Sequence, residues 1–568
     1  MTRFGKSGLL IINITIAFFF SPVFAQSGTN AESLPEGVTF WNDYPAEILA
    51  RTIVERMSDA ECLSQIFMFG WAGAEPDDLL YDWVSRGLGS VKVFGWNTDD
   101  IRLVASSVFS LQRSASQTRF KIPLFVATDQ EGGWIRHVKG ETSITPGNMA
   151  IGAAGYPVDA WYSAYYISRE IKALGINMNF APTVDLFTDR TSSIIGPRSF
   201  GDNPEHAGIL GAAFSAGSVA AGVIPTAKHF PGHGDTDGDS HVKLPEIDID
   251  EKTFTHRELV PFEYLVKRKI SAIMSGHLSF PKIDSSGAPA SLSKYFLTDL
   301  LRTKLGFDGL IITDDMMMNG DTLYAGSLTN AFYLAITAGN DILISSTTAR
   351  LNEPLWAVNL ERMKTDAAFR ARVKDAAYRV LKAKLVYFKS GNAAPLYPDA
   401  ASIGKYIPDK EGEKFFFEQA CRSITLYKKG TIPLSNRDAG RVLLVGSLSR
   451  FFTEGKRRYA SSGDYRFSSE PGPNETQYMC DHILESAAPY NTVVCCVSNA
   501  QSARIARTLK GSGKKVVIFS IMSPEHALEF GWADSVVMGY SWSAYTFDAM
   551  FGALAGEYEA QGILPFKP

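Results

Sequence analysis

Eight short runs of apolar, β-branched and aromatic residues alternate with segments of helical spacing, and this alternation limits the fold more than any other feature of the chain. The runs lie at residues 65–70, 90–94, 123–128, 176–182, 223–227, 270–275, 309–313 and 341–345. Helical spacing falls between most of them, at 157–174, 204–221, 255–268, 293–305 and 328–338. Strand and helix repeated eight times predict an α/β fold, a (β/α)8 TIM-type barrel, in preference to an open sheet. Polar residues gather where the runs end: Asp129-Gln130-Glu131, Asn179, Asp185, Lys228-His229, His277 and Asp314-Asp315. In a barrel those ends surround one mouth, where active sites are built.

The stretch 228–245, KHFPGHGDTDGDSHVKLP, opens after the fifth run. A core element could not bury so many polar side chains without partners, and the Gly and Pro predict an irregular loop. Retaining cleavage of a glycosidic bond requires a carboxylate nucleophile opposite a proton donor. Asp314, at a predicted strand tip, suits the first role. His241 suits the second, with Asp239 two residues away to fix its tautomer and raise its basicity. The same residues admit other readings. A Ser-His-Asp triad is disfavoured because adjacent side chains rarely converge and no GxSxG elbow is present. An EF-hand count over Asp235, Asp237, Asp239 and Glu246 puts Ser240 where the turn requires Gly. His229, His233 and His241 could together ligate a transition metal, and Asp314-Asp315 could cap the following helix.

Beyond the eighth run, residues 364–388 read as a long helix or a helix pair, and 390–412 as a linker. A second, smaller α/β sandwich domain is expected over 413–568, with strands at 442–446, 491–498, 515–521 and 535–539. Residues 26–389 are assigned to the barrel and its N-terminal extension. At the start of the chain, Arg3 and Lys6 precede an apolar stretch and a Val-Phe-Ala sequence ending at Ala25. That pattern predicts a cleavable signal peptide over 1–25 and a periplasmic or secreted protein without stable membrane insertion. The formal net charge of −4 offers no basic field for nucleic acid or anionic lipid. Five Cys, with neither CxxC nor zinc spacing, exclude a disulfide framework. One bridge among the four C-terminal Cys is compatible with export, while Cys495-Cys496 reads as part of a buried strand.

The long stretch after the fifth run, with DQEGG at 129–133, GPRSFGDNP at 196–204 and ITDDMMM at 312–318, resembles glycoside hydrolase family 3. The resemblance is to its bacterial β-N-acetylglucosaminidase branch. It extends from about residue 46 to the end of the chain, where SITLYKKGTIPL at 423–434 and GALAGEYEAQGILPF at 552–566 also match. It implies a retaining, exo-acting β-N-acetylhexosaminidase with Asp314 as nucleophile, His241 as acid/base and Asp239 as its partner. Asp129, Arg198, Lys228 and His229 match the residues that bind sugar hydroxyls. Where the family has a sugar-contacting Arg after DQEGG, this chain has His137 preceded by Arg136, and both are candidates for the contact. No cofactor or metal is implied, and the partner is a small glycan such as a peptidoglycan or chitin fragment. A neutral imidazole base repels phosphate less than a carboxylate does, so an N-acetylglucosaminide phosphorylase is the second enzyme reading. A sugar-binding envelope protein without turnover would most simply lack Asp314 or His241, and both are present.

Overall fold

The computed structural model describes residues 34–192, 194–236 and 244–568. The expected signal peptide, Asp239 and His241 lie outside the described residues. Thr39–Pro568 forms one compact unit, and residues 34–38 turn on themselves, with Val38 N donating to Pro35 O at 3.2 Å.

Eight parallel strands close into a barrel. They are β1 (Phe67–Phe69), β2 (Ser90–Lys92), β3 (Phe125–Thr128), β4 (Met178–Asn179), β5 (Ile224–Phe230), β6 (Ala272–Ser275), β7 (Leu310–Asp315) and β8 (Ile342–Ser345). Each lies beside the next in sequence, and β8 returns to β1 with Phe67 opposite Leu343. Each strand overlaps one of the eight apolar runs. Met68, Phe125, Met178, Met274, Ile312 and Ile344 belong to one buried cluster of strand side chains. The helix Ala367–Phe388 packs on this cluster through Val380, and its Lys384 Nζ donates to Gly89 O, just before β2, at 2.6 Å.

Two strands run further than their apolar residues suggest. Lys228 and His229, expected to open the loop, are buried within β5, and Asp314 and Asp315 end β7. The expectation failed because buried polar side chains are tolerated when they are paired, and these are. A second difference concerns 293–305, expected as an α-helix. Tyr295–Lys304 is a π-helix, closed by Leu305 N donating to Leu300 O at 2.8 Å, and its wider turn buries Phe296, Leu297, Leu300 and Leu301. The helix Pro204–Ala221 forms where expected. Asn203 Oδ1 accepts from His206 N at 2.9 Å, and Pro204 occupies the first turn. The helix stops at Gly222, whose φ of +90° disfavours other residues and where a Cβ would lie 2.0 Å from Asn392 O.

The C-terminal part is a six-stranded sheet of β9 (Thr425–Lys428), β10 (Val442–Gly446), β11 (Ser462–Arg466), β12 (Thr492–Val497), β13 (Lys515–Ser520) and β14 (Ser535–Met538). Its order is β9-β14-β13-β12-β10-β11, with β9 antiparallel to its neighbour. Alternate residues feed two cores, one containing Val445, Cys495 and Ile518, the other Leu444, Cys496 and Phe519. Both faces are therefore covered, as a parallel sheet requires. All five cysteines are free thiols, so no bridge joins the C-terminal four. The first core also takes in Met149 and Ala150 from the helix Asn148–Ala154, and Phe187 from the loop after β4. The sheet thereby buttresses the barrel loops that carry Arg198. No helix among the described residues is long and apolar enough to cross a membrane.

Candidate active site

The C-terminal ends of the strands carry a chain of ion pairs. Lys228 on β5 extends its Nζ to Asp129 Oδ1 at 2.6 Å and to Glu131 Oε1 at 2.7 Å. Lys92 at the end of β2 reaches Asp129 Oδ2 at 2.9 Å. Arg198 grips Glu131 with two parallel hydrogen bonds, Nη2 to Oε1 at 2.7 Å and Nε to Oε2 at 3.0 Å. Burial alone would push these carboxyls up. The adjacent cations outweigh it, holding Glu131 down to about 2 and Asp129 well below the usual carboxylate range. Burial opposes the charge on Lys228 and Arg198 too, but the same carboxylates raise both above their ordinary values.

His229 is oriented from behind. Its Nδ1 donates to Asp185 Oδ2 at 2.7 Å, while Asp185 Oδ1 accepts from His233 N at 2.7 Å. His229 Nε2 then faces Arg198 Nη2 at 3.4 Å and Asp314 Oδ2 at 3.8 Å. Asp314 keeps its place at the tip of β7 by accepting from Asp315 N at 2.8 Å, and its side chain is 19% exposed. Burial would raise its carboxyl, but His229, His277, Lys92 and Lys228 prevail and hold it down to about 2. His277 opposes burial through Asp321, whose Oδ2 is 2.9 Å from Nδ1, and its pKa is raised to about 9. An ionised carboxylate thus lies in a cationic setting, at a strand tip, open to the mouth.

A short hairpin sends Arg136 and His137 to different surroundings. Residues Gln130–Gly132 pair with Ile135–Arg136 through Gly132 and Gly133, whose φ values are +94° and +63°. His137 N donates back to Asp129 O at 2.9 Å, which leaves His137 Nδ1 3.4 Å from Asp129 Oδ2. Arg136 is directed elsewhere, donating from Nη1 to Thr142 O and Thr142 Oγ1, both at 2.7 Å. The structure therefore brings Asp129, His137, Arg198, Lys228, His229 and Asp314 together and leaves Arg136 outside the group. Burial lowers His137 to about 4, so it is a neutral ring. Sequence reasoning assigns no role to Lys92, and none to Glu131, Asp185 and His277 beyond marking strand ends. Lys92 had one signal, a cation inside an apolar run.

Beneath the loop that leaves β5 lies Glu258, 2% exposed. Its Oε1 accepts from Arg257 Nε at 2.6 Å, and Arg257 Nη2 donates to Asp235 Oδ2 at 2.6 Å. Burial, against the pull of Arg257, raises the Glu258 carboxyl from 4.5 to about 7.

Residues 68–383 match the glycosyl hydrolase family 3 N terminal domain. The chain belongs to glycosyl hydrolase family 3. It is 32% identical over 558 residues to the beta-hexosaminidase A of Pseudoalteromonas piscicida, covering 86% of this chain and 90% of that relative. It is 34% identical over 261 residues to a beta-hexosaminidase of Tolumonas auensis, covering 45% of this chain and 75% of that one. Among solved structures, a glycoside hydrolase family 3 beta-N-acetylglucosaminidase from Paenibacillus sp. str. FPU-7 superposes with a TM-score of 0.80 at 26% identity, over 90% of this chain and 99% of that chain. This family 3 chain is a glycosidase with a closed barrel and a second sheet.

Two expected outcomes follow from the buried charges. Lys228→Met leaves Asp129 and Glu131 each one cation short in a buried site, and should cost about 3–5 kcal/mol of folding stability in urea unfolding. Glu258 has a folded pKa above its unfolded one, so the folded state holds the proton longer. Its contribution is fully present below pH 4.5 and is lost as pH rises through about 7. Glu258→Gln should remove a change on the order of 3 kcal/mol between pH 5 and pH 8.

Proposed function

We propose that this glycosidase is a retaining, exo-acting β-N-acetylhexosaminidase that removes terminal β-linked N-acetylglucosamine from small glycans. Asp314 attacks the anomeric carbon to form a glycosyl-aspartate. His241, supported by Asp239, first protonates the leaving oxygen and then activates water. Asp129, His137, Arg198, Lys228 and His229 bind and orient the sugar, with His229 held by Asp185. Asp129 and Glu131 keep Lys228 charged and fixed, so its ammonium loses little freedom when a hydroxyl binds. The observation that carries the reading is the Asp314 carboxyl, held at about 2 and facing His229 Nε2 at 3.8 Å. A nucleophile must be ionised and reachable, and this one is both. Support for the sugar comes from the names of the relatives, beta-hexosaminidases and a beta-N-acetylglucosaminidase.

Peptidoglycan and chitin fragments both present such a terminal sugar. Export ahead of Gln26, as the leader reading has it, would place the enzyme with them. Purified protein should hydrolyse an aryl β-N-acetylglucosaminide at least tenfold faster than the β-glucoside, with free N-acetylglucosamine as product whether or not phosphate is added. A sugar 1-phosphate appearing with phosphate would make the enzyme a phosphorylase. Preference for the glucoside would overturn the specificity.

A further inference from the structure

A cavity of about 430 Å³ lies at the same end of the barrel, walled by residues that follow β1, β2 and β8: Trp71, Asp77, Trp96 and Ser346, Thr347 and Thr348. That volume is in the range of small-ligand pockets and exceeds what an acetamido group needs. The cavity adjoins the charged site through two shared walls. Ser346 N donates to Asp315 Oδ1 at 3.0 Å, beside Asp314. Phe94 lies between Trp96 and the Asp129 group, with Lys92 Nζ 4.2 Å from its ring centre and the His137 ring 5.9 Å away.

Trp96 is 51% exposed, yet it is fixed on two sides. Its ring stacks on Phe94 at 4.4 Å with an interplanar angle of 4°, and its Nε1 donates to Trp71 O at 2.8 Å. A large aromatic side chain held flat with much of its surface open is a preorganised platform for a ring with an apolar face. Trp71 is 1% exposed, and its Nε1 has no hydrogen-bond partner. Trp71 serves as backing, fixing the Trp96 ring through its carbonyl oxygen. Asp77, exposed at the N-terminus of the helix Asp78–Ser85, accepts from Leu80 N with Oδ1 alone. Its second oxygen can take a hydroxyl.

We infer that this cavity is the subsite for the leaving-group sugar, binding a second pyranose ring against Trp96 with a hydroxyl on Asp77. The inference rests on the exo-glycosidase reading, under which the terminal sugar occupies the Asp129–Asp314 site and the next ring lies beyond the scissile bond. A flat aromatic face and an exposed carboxylate make a set that suits a pyranose.

The test compares two substrates that differ only by the second ring, the β-1,4-linked N-acetylglucosamine disaccharide and methyl β-N-acetylglucosaminide. Both release an alcohol, so both need similar acid assistance. Trp96→Ala should lower the disaccharide-to-methyl ratio of kcat/KM about tenfold. Asp77→Asn, which keeps the helix cap and removes the carboxylate charge, should lower it about threefold. Circular dichroism and Tm checks establish that each variant is folded. A wild-type enzyme that cleaves both substrates while neither variant changes the ratio would overturn the subsite alone. A wild type that cleaves neither would overturn the exo-glycosidase reading, and the subsite with it.

Discussion

Asp314→Asn should leave a folded protein with kcat/KM reduced on the order of 10⁴-fold or more, because an amide cannot form the glycosyl ester. Folding should survive, since Asn Oδ1 can accept from Asp315 N as Asp314 does now. A fluoro-glycoside that traps the covalent intermediate should label the wild-type peptide containing Asp314 and leave the variant unlabelled. The pH profile gives an independent check. With its carboxyl at about 2, Asp314 is ionised throughout the range in which the protein would be assayed. Any acid limb of the wild-type activity above pH 3 must therefore come from another group. Label recovered on Asp315 or Asp185 would transfer the nucleophile's role. Those outcomes would be hard to reconcile with the geometry, because Asp185 is occupied by His229 and His233. Asp315 Oδ1 likewise accepts from Met317 N at 3.1 Å and Ser346 N at 3.0 Å.

The barrel was legible because period and count act together: each strand is an apolar run of the right length, and the polar residues follow rather than precede it. Asp129, Lys228, His229 and Asp314 stood out as polar strand ends for that reason, and the fold brings them together. What the sequence could not disclose is pairing across the barrel. Lys228 bonds to residues about 100 positions away, at 99 for Asp129, and no local pattern encodes that distance. The same blindness made Lys228-His229 look like the start of a loop. Lys92 was hidden for the opposite reason, since one cation in a strand run resembles a solvated edge until its partner is known. Arg136 and His137 part at one hairpin, where His137 N turns back to Asp129 O and Arg136 reaches Thr142, and no local pattern encodes that turn. In the second sheet, β9 and β11 escaped notice. They are edge strands, and β11, Ser462–Arg466, is half-exposed and polar, without the apolar signature of the four central strands.

The His241→Ala variant should separate two kinds of substrate. Its role can be approached from the described residues by asking which of them could replace it. His277 has Nδ1 near Asp321 and Ser291, and Nε2 3.0 Å from Asp315 O, so neither nitrogen is free for a leaving group. His229 has Nδ1 committed to Asp185, and Glu131 is ionised between Arg198 and Lys228. Glu258, with its carboxyl near 7, has a suitable value for a general acid but is 2% exposed beneath Gly232 and tied to Arg257. The proposed function gives the proton to His241. A nitrophenyl leaving group departs without protonation, whereas a sugar alcohol does not. His241→Ala should therefore cost about 10²–10⁴-fold on the disaccharide and far less on bond cleavage in a nitrophenyl glycoside. Deglycosylation also loses its base, so nitrophenol should appear in an initial burst as the covalent intermediate accumulates. Asp239→Ala should show the same pattern more mildly, because the imidazole remains and loses only its orientation and electrostatic support. Glu258→Gln should change the pH dependence of stability without this selectivity between leaving groups. If Glu258→Gln instead reproduces the burst and the substrate split, the acid is Glu258. If His241→Ala depresses both substrates equally, or a chelator inactivates the wild type and a divalent ion restores it, the acid/base assignment falls and the His-rich loop is a metal site.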